Sequence, residues 1–331
     1  MKLFEKITEM FSRELEFRGR AFVNYGALDQ VEVKDMMIDG FPAKLFFNPA
    51  RVRSVMADVS PEALQKRACF LCPDGLEPLQ LTTIWDSPTG QTYYIRVNPF
   101  PIFNHHFTIS SAIHERQTFA PHMESMLHLA QAMPEMSIFY NGPMCGASAP
   151  DHMHFQAVPR HSMPIEDHFD TNYANAVLVQ ESDLQSHLAA LDKVLSMASI
   201  PENASQTGSL TAGASHTEEW EPRWNIISWY EPTHTECVPP IGRPDWLLDA
   251  SLLDIGKFNT IVFFRRESRP QCFFAPENER ILFSPGTVEM GGVGIVANRE
   301  SFERITPEVL RSMIQEVADD IFAQSSHGKG N

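Results

Sequence analysis

Five consecutive residues, His152-Met153-His154-Phe155-Gln156, constrain this chain more than any other stretch. Side chains along a β-strand alternate between its two faces, so a strand over 152–158 gives His152, His154 and Gln156 one polar face. Met153, Phe155 and Ala157 then form an apolar face that can pack on a helix. A sheet-borne active site requires that partition. Two surface histidines on a half-exposed strand would give the same spacing, in a chain with 13 histidines. The loop ahead of the motif favours the first reading. Gly142, Gly146, Ala147 and Ser148 are small, so backbone N–H groups there can approach a phosphate, and Ser148 adds a hydroxyl donor.

Charge narrows the choice of ligand. The 331 residues carry 26 Lys and Arg against 42 Asp and Glu, a net charge of −16. A general nucleic-acid or anionic-membrane binder needs a positive field, which this chain lacks. The deficit sits mainly in the second half: residues 1–160 hold 14 basic and 17 acidic groups, residues 161–331 hold 12 and 25. The first half can therefore seat an anionic small molecule. No apolar run reaches the roughly 18 residues of a membrane span. Residues 1–22 lack the apolar core and cleavage site of a signal peptide. Five cysteines, at 69, 72, 145, 237 and 272, are sparse and odd in number, which suits a reducing cytoplasm and not a disulfide scaffold.

Periodicity supplies the elements. Leu3, Phe4, Ile7, Met10, Phe11 and Leu15 predict an amphipathic helix within 1–22. Strands are predicted over 36–47, 91–97, 107–110, 136–140 and 152–158, and beyond them over 224–230, 260–265, 281–284 and 291–297. Helices are predicted over 122–133 and 183–197. A final helix is capped by Thr306, with Pro307 at its first position. Residues 201–219 are rich in Ser, Thr, Gly and Ala and read as a flexible linker. Mixed strands and helices without βαβ alternation predict an α+β fold with antiparallel sheets and packed helices. The expected parts are an N-terminal helix and strand region (1–60), a catalytic half (61–200), the linker and a second half (220–331).

The segment FYNGPMCGASAPDHMHFQ (139–156) resembles the active-site segment of the histidine-triad (HIT) superfamily. It is most similar to the nucleotidyltransferase and phosphorylase branch, whose pattern is His-x-His-x-Gln. That branch includes galactose-1-phosphate uridylyltransferases, diadenosine tetraphosphate phosphorylases and GDP-hexose phosphorylases. The hydrolases of the superfamily carry a third His where Gln156 stands. VNPFPIFNHHFTIS (97–110) resembles the upstream strand of the same branch. CFLCPDGLEPLQ (69–80) resembles the Cys-x-x-Cys region of the uridylyltransferases. FNTIVFFRRESRP and SPGTVEMGGVGIVA resemble, more loosely, the second half of the dinucleotide phosphorylases. The motif lacks the Pro between histidines typical of uridylyltransferases, and the Cys pair is atypical of dinucleotide phosphorylases, so features of both are combined.

The resemblance implies two HIT-like halves and a ping-pong nucleotidyl transfer. His154 takes the place of the nucleophile that attacks the α-phosphorus of a nucleoside diphosphate sugar or dinucleoside polyphosphate. Phosphate or a sugar phosphate then accepts the nucleotidyl group. Imidazole suits this task because much of it is neutral at pH 7, with a free lone pair. Gln156 would hold a phosphoryl oxygen through its amide N–H. Asn98, Asn141, Gly146, Ala147 and Ser148 match positions near the nucleotide. A structural zinc is implied at Cys69, Cys72, His152 and an upstream His, with strand alternation favouring His106 over His105. Reduced buried cysteines are the plain alternative. No organic cofactor is expected, and a homodimer is in keeping with the branch. Arg265, Arg266 and Arg269 form the densest basic cluster of the second half, fit for a phosphate or for surface salt bridges. Competing functions are a HIT-type nucleotide pyrophosphate hydrolase, a catalytically silent nucleotide-binding protein, and a zinc hydrolase using metal-bound water.

Overall fold

The computed structural model describes residues 1–52, 59–77, 79–198, 221–233 and 256–320. The 201–219 linker expectation falls outside these residues. The fold is α+β, as expected, built on an eight-stranded, wholly antiparallel sheet with a smaller sheet beside it.

Two strands precede the large sheet. β1 (Glu32–Ile38) and β2 (Phe41–Phe47) form a hairpin where a single strand over 36–47 is expected. The chain reverses at Asp39-Gly40, both with positive φ (51° and 92°), the geometry of the two-residue turn that Asp-Gly favours. The large sheet comprises β3 (Thr83–Asp86), β4 (Thr92–Val97), β5 (Phe107–Ser111), β6 (Met136–Asn141), β7 (His154–Pro159), β8 (Ala176–Glu181), β9 (Trp224–Pro232) and β10 (Gly256–Phe264). Their spatial order is β3-β4-β5-β7-β6-β9-β10-β8, so strands from both sides of residues 201–219 share one sheet. β11 (Val293–Val296) joins β2 in parallel and completes the three-stranded sheet.

The sheet's two faces bury separate cores. Phe107, Ile109, Ile138, Tyr140, Phe155 and Ala157 face helices Leu3–Glu16, Met123–Ala132 and Leu184–Leu195. Phe139, Val158, Ile227, Trp229 and Phe263 face the small sheet and helix Pro307–Val317. Thr306 caps that last helix by accepting from Val309 N–H, as the sequence predicts.

Two further expectations need correction. The N-terminal helix does not run to residue 22: it ends at Glu16, Arg18 turns left-handed (φ 50°), and a second helix starts at Arg20 after Gly19. Residues 281–284 form no strand, although Ile281 and Phe283 are buried alternately. Ile281 N–H donates to Cys272 O and Leu282 N–H to the Ser301 hydroxyl, so no neighbouring strand takes up this backbone.

Candidate functional site

β7 lies between β5 and β6, with Ser110 opposite His154 and Thr108 opposite Gln156. Phe155 and Ala157 enter the helical core, which leaves His154 and Gln156 on the other face, as alternation requires. The strand begins at His154 and not at His152. Residue 152 closes a turn in which its N–H donates to Ala149 O.

β6 and β7 cease to pair beyond Phe139 and Gln156, and Gln117 fills the gap. Its carbonyl oxygen accepts from His154 N–H (2.8 Å). Its amide donates to His154 O (3.0 Å) and to Asn141 O (2.9 Å). One buried side chain thus takes the place of a strand neighbour and fixes the backbone that carries His154. Gln117 has no motif around it, and sequence reasoning missed it.

The ring of His154 is almost fully buried, and its Nδ1 lies 2.8 Å from His152 O. A carbonyl can only accept, so Nδ1 carries the proton and Nε2 keeps its lone pair. Nε2 has no partner among the described residues. Burial pushes the pKa down to about 4, against the pull of the His152 carbonyl, so the ring is neutral near pH 7.

Gln156 is oriented by His106. Ile102 N–H donates to His106 Nδ1 (3.1 Å), which puts the His106 proton on Nε2, where it donates to Gln156 Oε1 (2.8 Å). Asn98 Nδ2 reaches the same oxygen at 3.3 Å, and Asn98 Oδ1 holds Phe100 N–H. With its oxygen engaged, Gln156 has its amide N–H groups to offer a ligand. Burial, with help from the Arg51 charge, drives the His106 pKa down to about 3. Both ring nitrogens of His106 are therefore occupied, and the expectation that it binds metal is corrected.

The loop after β6 lies against Gly286 and Asn225. Gly146 is left-handed (φ 97°), and a Cβ there would meet Gly286 Cα at 2.8 Å, so glycine is required twice over. The N–H groups of Gly146, Ala147 and Ser148 donate to no described residue. Asn141 is tied into the fold through its oxygen. Its Oδ1 accepts from Thr287 N–H (2.8 Å), the Thr287 hydroxyl (2.8 Å) and Asn225 Nδ2 (3.0 Å), which ties β6 to the second half. Of the basic cluster, Arg265 is buried. Arg266 donates to Gln315 O and Glu316 O, and Arg269 donates to Ser284 Oγ and lies over the Phe273 ring.

The second constellation is Cys69, Cys72, His114 and His152, whose donor atoms all lie within 4.8 Å of one another. The closest separations are Cys69 Sγ–His152 Nδ1 3.2 Å, Cys72 Sγ–His114 Nδ1 3.2 Å, His114 Nδ1–His152 Nδ1 3.3 Å and Cys72 Sγ–His152 Nδ1 3.5 Å. A tetrahedral zinc with bonds of about 2.3 Å to sulfur and about 2.0–2.1 Å to nitrogen has donor–donor edges of about 3.3–3.8 Å. His152 Nε2 donates to Ser111 O (2.9 Å), which frees Nδ1 for a metal and supplies the outer partner such ligands have. Arg96 anchors the cysteine loop from β4 by donating to Leu71 O (2.8 Å). This group can hold a metal ion. His114, and neither His106 nor His105, completes it.

Residues 10–159, which contain both constellations, match the family described as "Domain of unknown function (DUF4922)". No curated protein is matched in sequence. Among solved structures, yeast Ap4A phosphorylase Apa2 superposes with a TM-score of 0.57 at 13% identity, over 96% of this chain and 98% of that one. The chain has the fold of yeast Ap4A phosphorylase Apa2. A second Apa2 structure, in complex with Ap4A, matches with a TM-score of 0.56 at 12% identity, over the same shares of both chains. The shared fold agrees with the α+β architecture expected from the sequence. No helix among the described residues is long and apolar enough to cross a membrane.

Proposed function

We propose that this protein is a nucleotidyltransferase of the phosphorylase type, acting on dinucleoside polyphosphates through a covalent nucleotidyl-His154 intermediate. The observation that carries this reading is the tautomer of His154: Nδ1–H is spent on a backbone carbonyl, and a neutral Nε2 is left without a partner among the described residues. The Apa2 fold, and an Apa2 structure holding Ap4A, support dinucleoside polyphosphates as the first substrate class to test.

Nε2 attacks the α-phosphorus and forms an N–P bond as the bond to the bridging oxygen breaks. From Ap4A the leaving group is ATP, and AMP stays on the histidine. The Nδ1–H bond to His152 O stabilises the positive charge that the ring gains. Gln156, held by His106 and Asn98, donates to a non-bridging oxygen, and the N–H groups of Gly146, Ala147 and Ser148 supply further donors. A phosphate oxygen then attacks the same phosphorus, the N–P bond breaks, and ADP departs with the neutral ring restored. Phosphate is the acceptor in this reading, as Gln156 stands where hydrolases of the superfamily carry a third His.

Zinc bound by Cys69, Cys72, His114 and His152 would be a structural ion, bracing the cysteine loop against the turn that precedes the nucleophile. His152 and His154 would then be coupled: the ring of one holds the metal while its carbonyl holds the ring of the other.

The test is a quenched reaction of the whole protein with Ap4A, read by intact mass, with and without phosphate. The expected results are a mass gain of one AMP, its absence in His154→Ala, and its discharge as ADP when phosphate is added. Nucleoside diphosphate sugars form the parallel arm for the second substrate class. Turnover without any adduct would sink the covalent route, and discharge by water at the same rate as by phosphate would make the protein a hydrolase.

A further inference from the structure

Arg265 follows β10, and its guanidinium lies inside the protein, with the residue only 3% exposed. Nη1 donates to Asn225 Oδ1 (2.6 Å) and Pro285 O (3.0 Å); Nη2 donates to Glu267 O (3.0 Å) and Ser268 O (3.0 Å). Each of these partners is a neutral oxygen. Burying a guanidinium without a bonded carboxylate is costly, and an apolar side chain could have filled the space without that cost.

The geometry around Asn225 points to what the cation does. Because its oxygen faces Arg265, its amide must face the other way. There it donates to Cys145 O (2.7 Å) and to Asn141 Oδ1 (3.0 Å). A flipped amide would set N–H against N–H at Arg265, so the guanidinium dictates which way Asn225 points. Cys145 immediately precedes Gly146. On the far side of Gly146 lies Gly286, where a Cβ on Gly146 would come within 2.8 Å of the Gly286 Cα. Gly286 is itself set between Pro285, whose carbonyl Arg265 holds, and Thr287, whose N–H and hydroxyl Asn141 holds. One cation from the second half thus bears on both sides of residues 145 and 146.

We infer that Arg265 is a positioning residue: through Asn225 and Pro285 it fixes the backbone at Cys145 and Gly146, and with it the loop whose 146–148 N–H groups are presented to the transferred phosphate. This rests on the reading of His154 as the nucleotidyl carrier, and it assigns the second half a part in the chemistry of the first. It also separates Arg265 from Arg266, which is exposed and whose guanidinium donates to carbonyls of the last helix.

The decisive variant is Asn225→Asp. It keeps an oxygen facing Arg265 but replaces the donor to Cys145 O and Asn141 Oδ1 with a second oxygen. The expected result is a fall of about 10²-fold in the rate of adduct formation from saturating Ap4A, with the melting temperature within a few degrees of the parent. Arg265→Ala should lose a similar factor and regain at least about tenfold of it in millimolar guanidinium, but not in sodium at equal ionic strength. Arg266→Gln should match the parent. A merely structural role predicts activity that falls only with the folded fraction and no rescue, and that result overturns the inference. If the parent protein forms no adduct from any probe, the functional reading fails instead. The positioning is then judged by amide hydrogen exchange: Asn225→Asp must speed exchange at the Cys145 N–H, which donates to Gly142 O, more than at amides remote from the loop, and unchanged exchange there overturns it.

Discussion

His152 and His154 are two residues apart, yet they are set up for opposite tasks. The ring of His152 gives its Nε2 proton to Ser111 O and presents Nδ1 to Cys69, Cys72 and His114. The ring of His154 gives its Nδ1 proton to His152 O and leaves Nε2 open. Each holds its tautomer through one backbone carbonyl, and the nitrogen that carbonyl takes decides which lone pair is left: Nδ1 of His152, facing the cysteines, or Nε2 of His154, the proposed nucleophile. The difference arises where β7 begins: His154 is the first residue in register with β5, while His152 belongs to the turn before it. In the proposed reading the metal end of this segment is a fastener and the strand end is a reaction centre, so substitutions at the two ends should fail differently.

The largest contrast is expected between His154→Ala and His152→Ala. Removing His154 should lower turnover roughly 10³-fold or more and eliminate the adduct, with bound metal and melting temperature unchanged. Removing His152 should release metal and destabilise the fold. Its backbone carbonyl remains, so the surviving folded fraction should still form the adduct. Metal content, intact mass and thermal melts on the two variants decide the matter. If His154→Ala loses metal, or if fully folded His152→Ala forms no adduct, the assignment of roles is wrong.

Cys69→Ser and Cys72→Ser come next. Zinc affinity is folding free energy wherever the unfolded chain lacks the site, so each variant should melt at least about 5 °C lower and hold less metal. Chelator added to the parent should lower the melting temperature before it lowers the rate per folded molecule. Immediate loss of rate with an unchanged melt would point to a metal-bound water as the nucleophile. Without a cation the two thiols are mismatched. Burial and the neighbouring Cys69 push Cys72 up to about 11. Cys69 is raised by burial, but the hydrogen bond to His152 brings it down to about 6. A divalent ion removes that conflict by stabilising both thiolates.

How much of this was legible in the sequence follows from the range of each interaction. Strand alternation places His154 and Gln156 on one face, and the small residues of 142–148 mark a loop that needs glycine at 146, because both depend on neighbours in the chain. The Asp39-Gly40 reversal was equally local and could have been read from that dipeptide. His106 was misassigned because alternation gives a face but not a partner. Its two nitrogens are claimed by Ile102 N–H and Gln156, contacts that depend on the turn over 101–106. His114 sits three residues beyond β5, in a turn that no periodicity describes, and Gln117 acts only where β6 and β7 part. The dense basic neighbourhood of Arg265 suits either a phosphate contact or a surface salt bridge, since its burial depends on bonds to Asn225 and Pro285, distant in sequence.

His106 offers a third case to set against the two motif histidines, and a smaller effect. It touches neither metal nor phosphate in the scheme above; it holds Gln156. His106→Leu should slow adduct formation roughly 10- to 100-fold, less than the loss of the nucleophile, because Asn98 still holds Gln156 Oε1. The same variant should alter the acid limb of stability. The folded pKa of His106 is depressed to about 3, against about 6.5 in the unfolded chain. As pH falls below about 6.5 the unfolded chain takes up a proton that the fold refuses, so His106 costs stability progressively down to about pH 3. One such proton contributes at most about 1.4 kcal/mol per pH unit. Glu14 works in the opposite sense. Burial raises its pKa to about 7, so it favours the fold as pH falls from above 7 toward about 4.5. The raw melting curve against pH therefore mixes the two. The difference between the parent and His106→Leu isolates the histidine and should widen in the variant's favour from pH 6 to pH 4. A constant difference over that range would mean that His106 takes up its proton in the fold, and a doubly protonated ring could not accept from Ile102 N–H, so the relay to Gln156 would be lost with it.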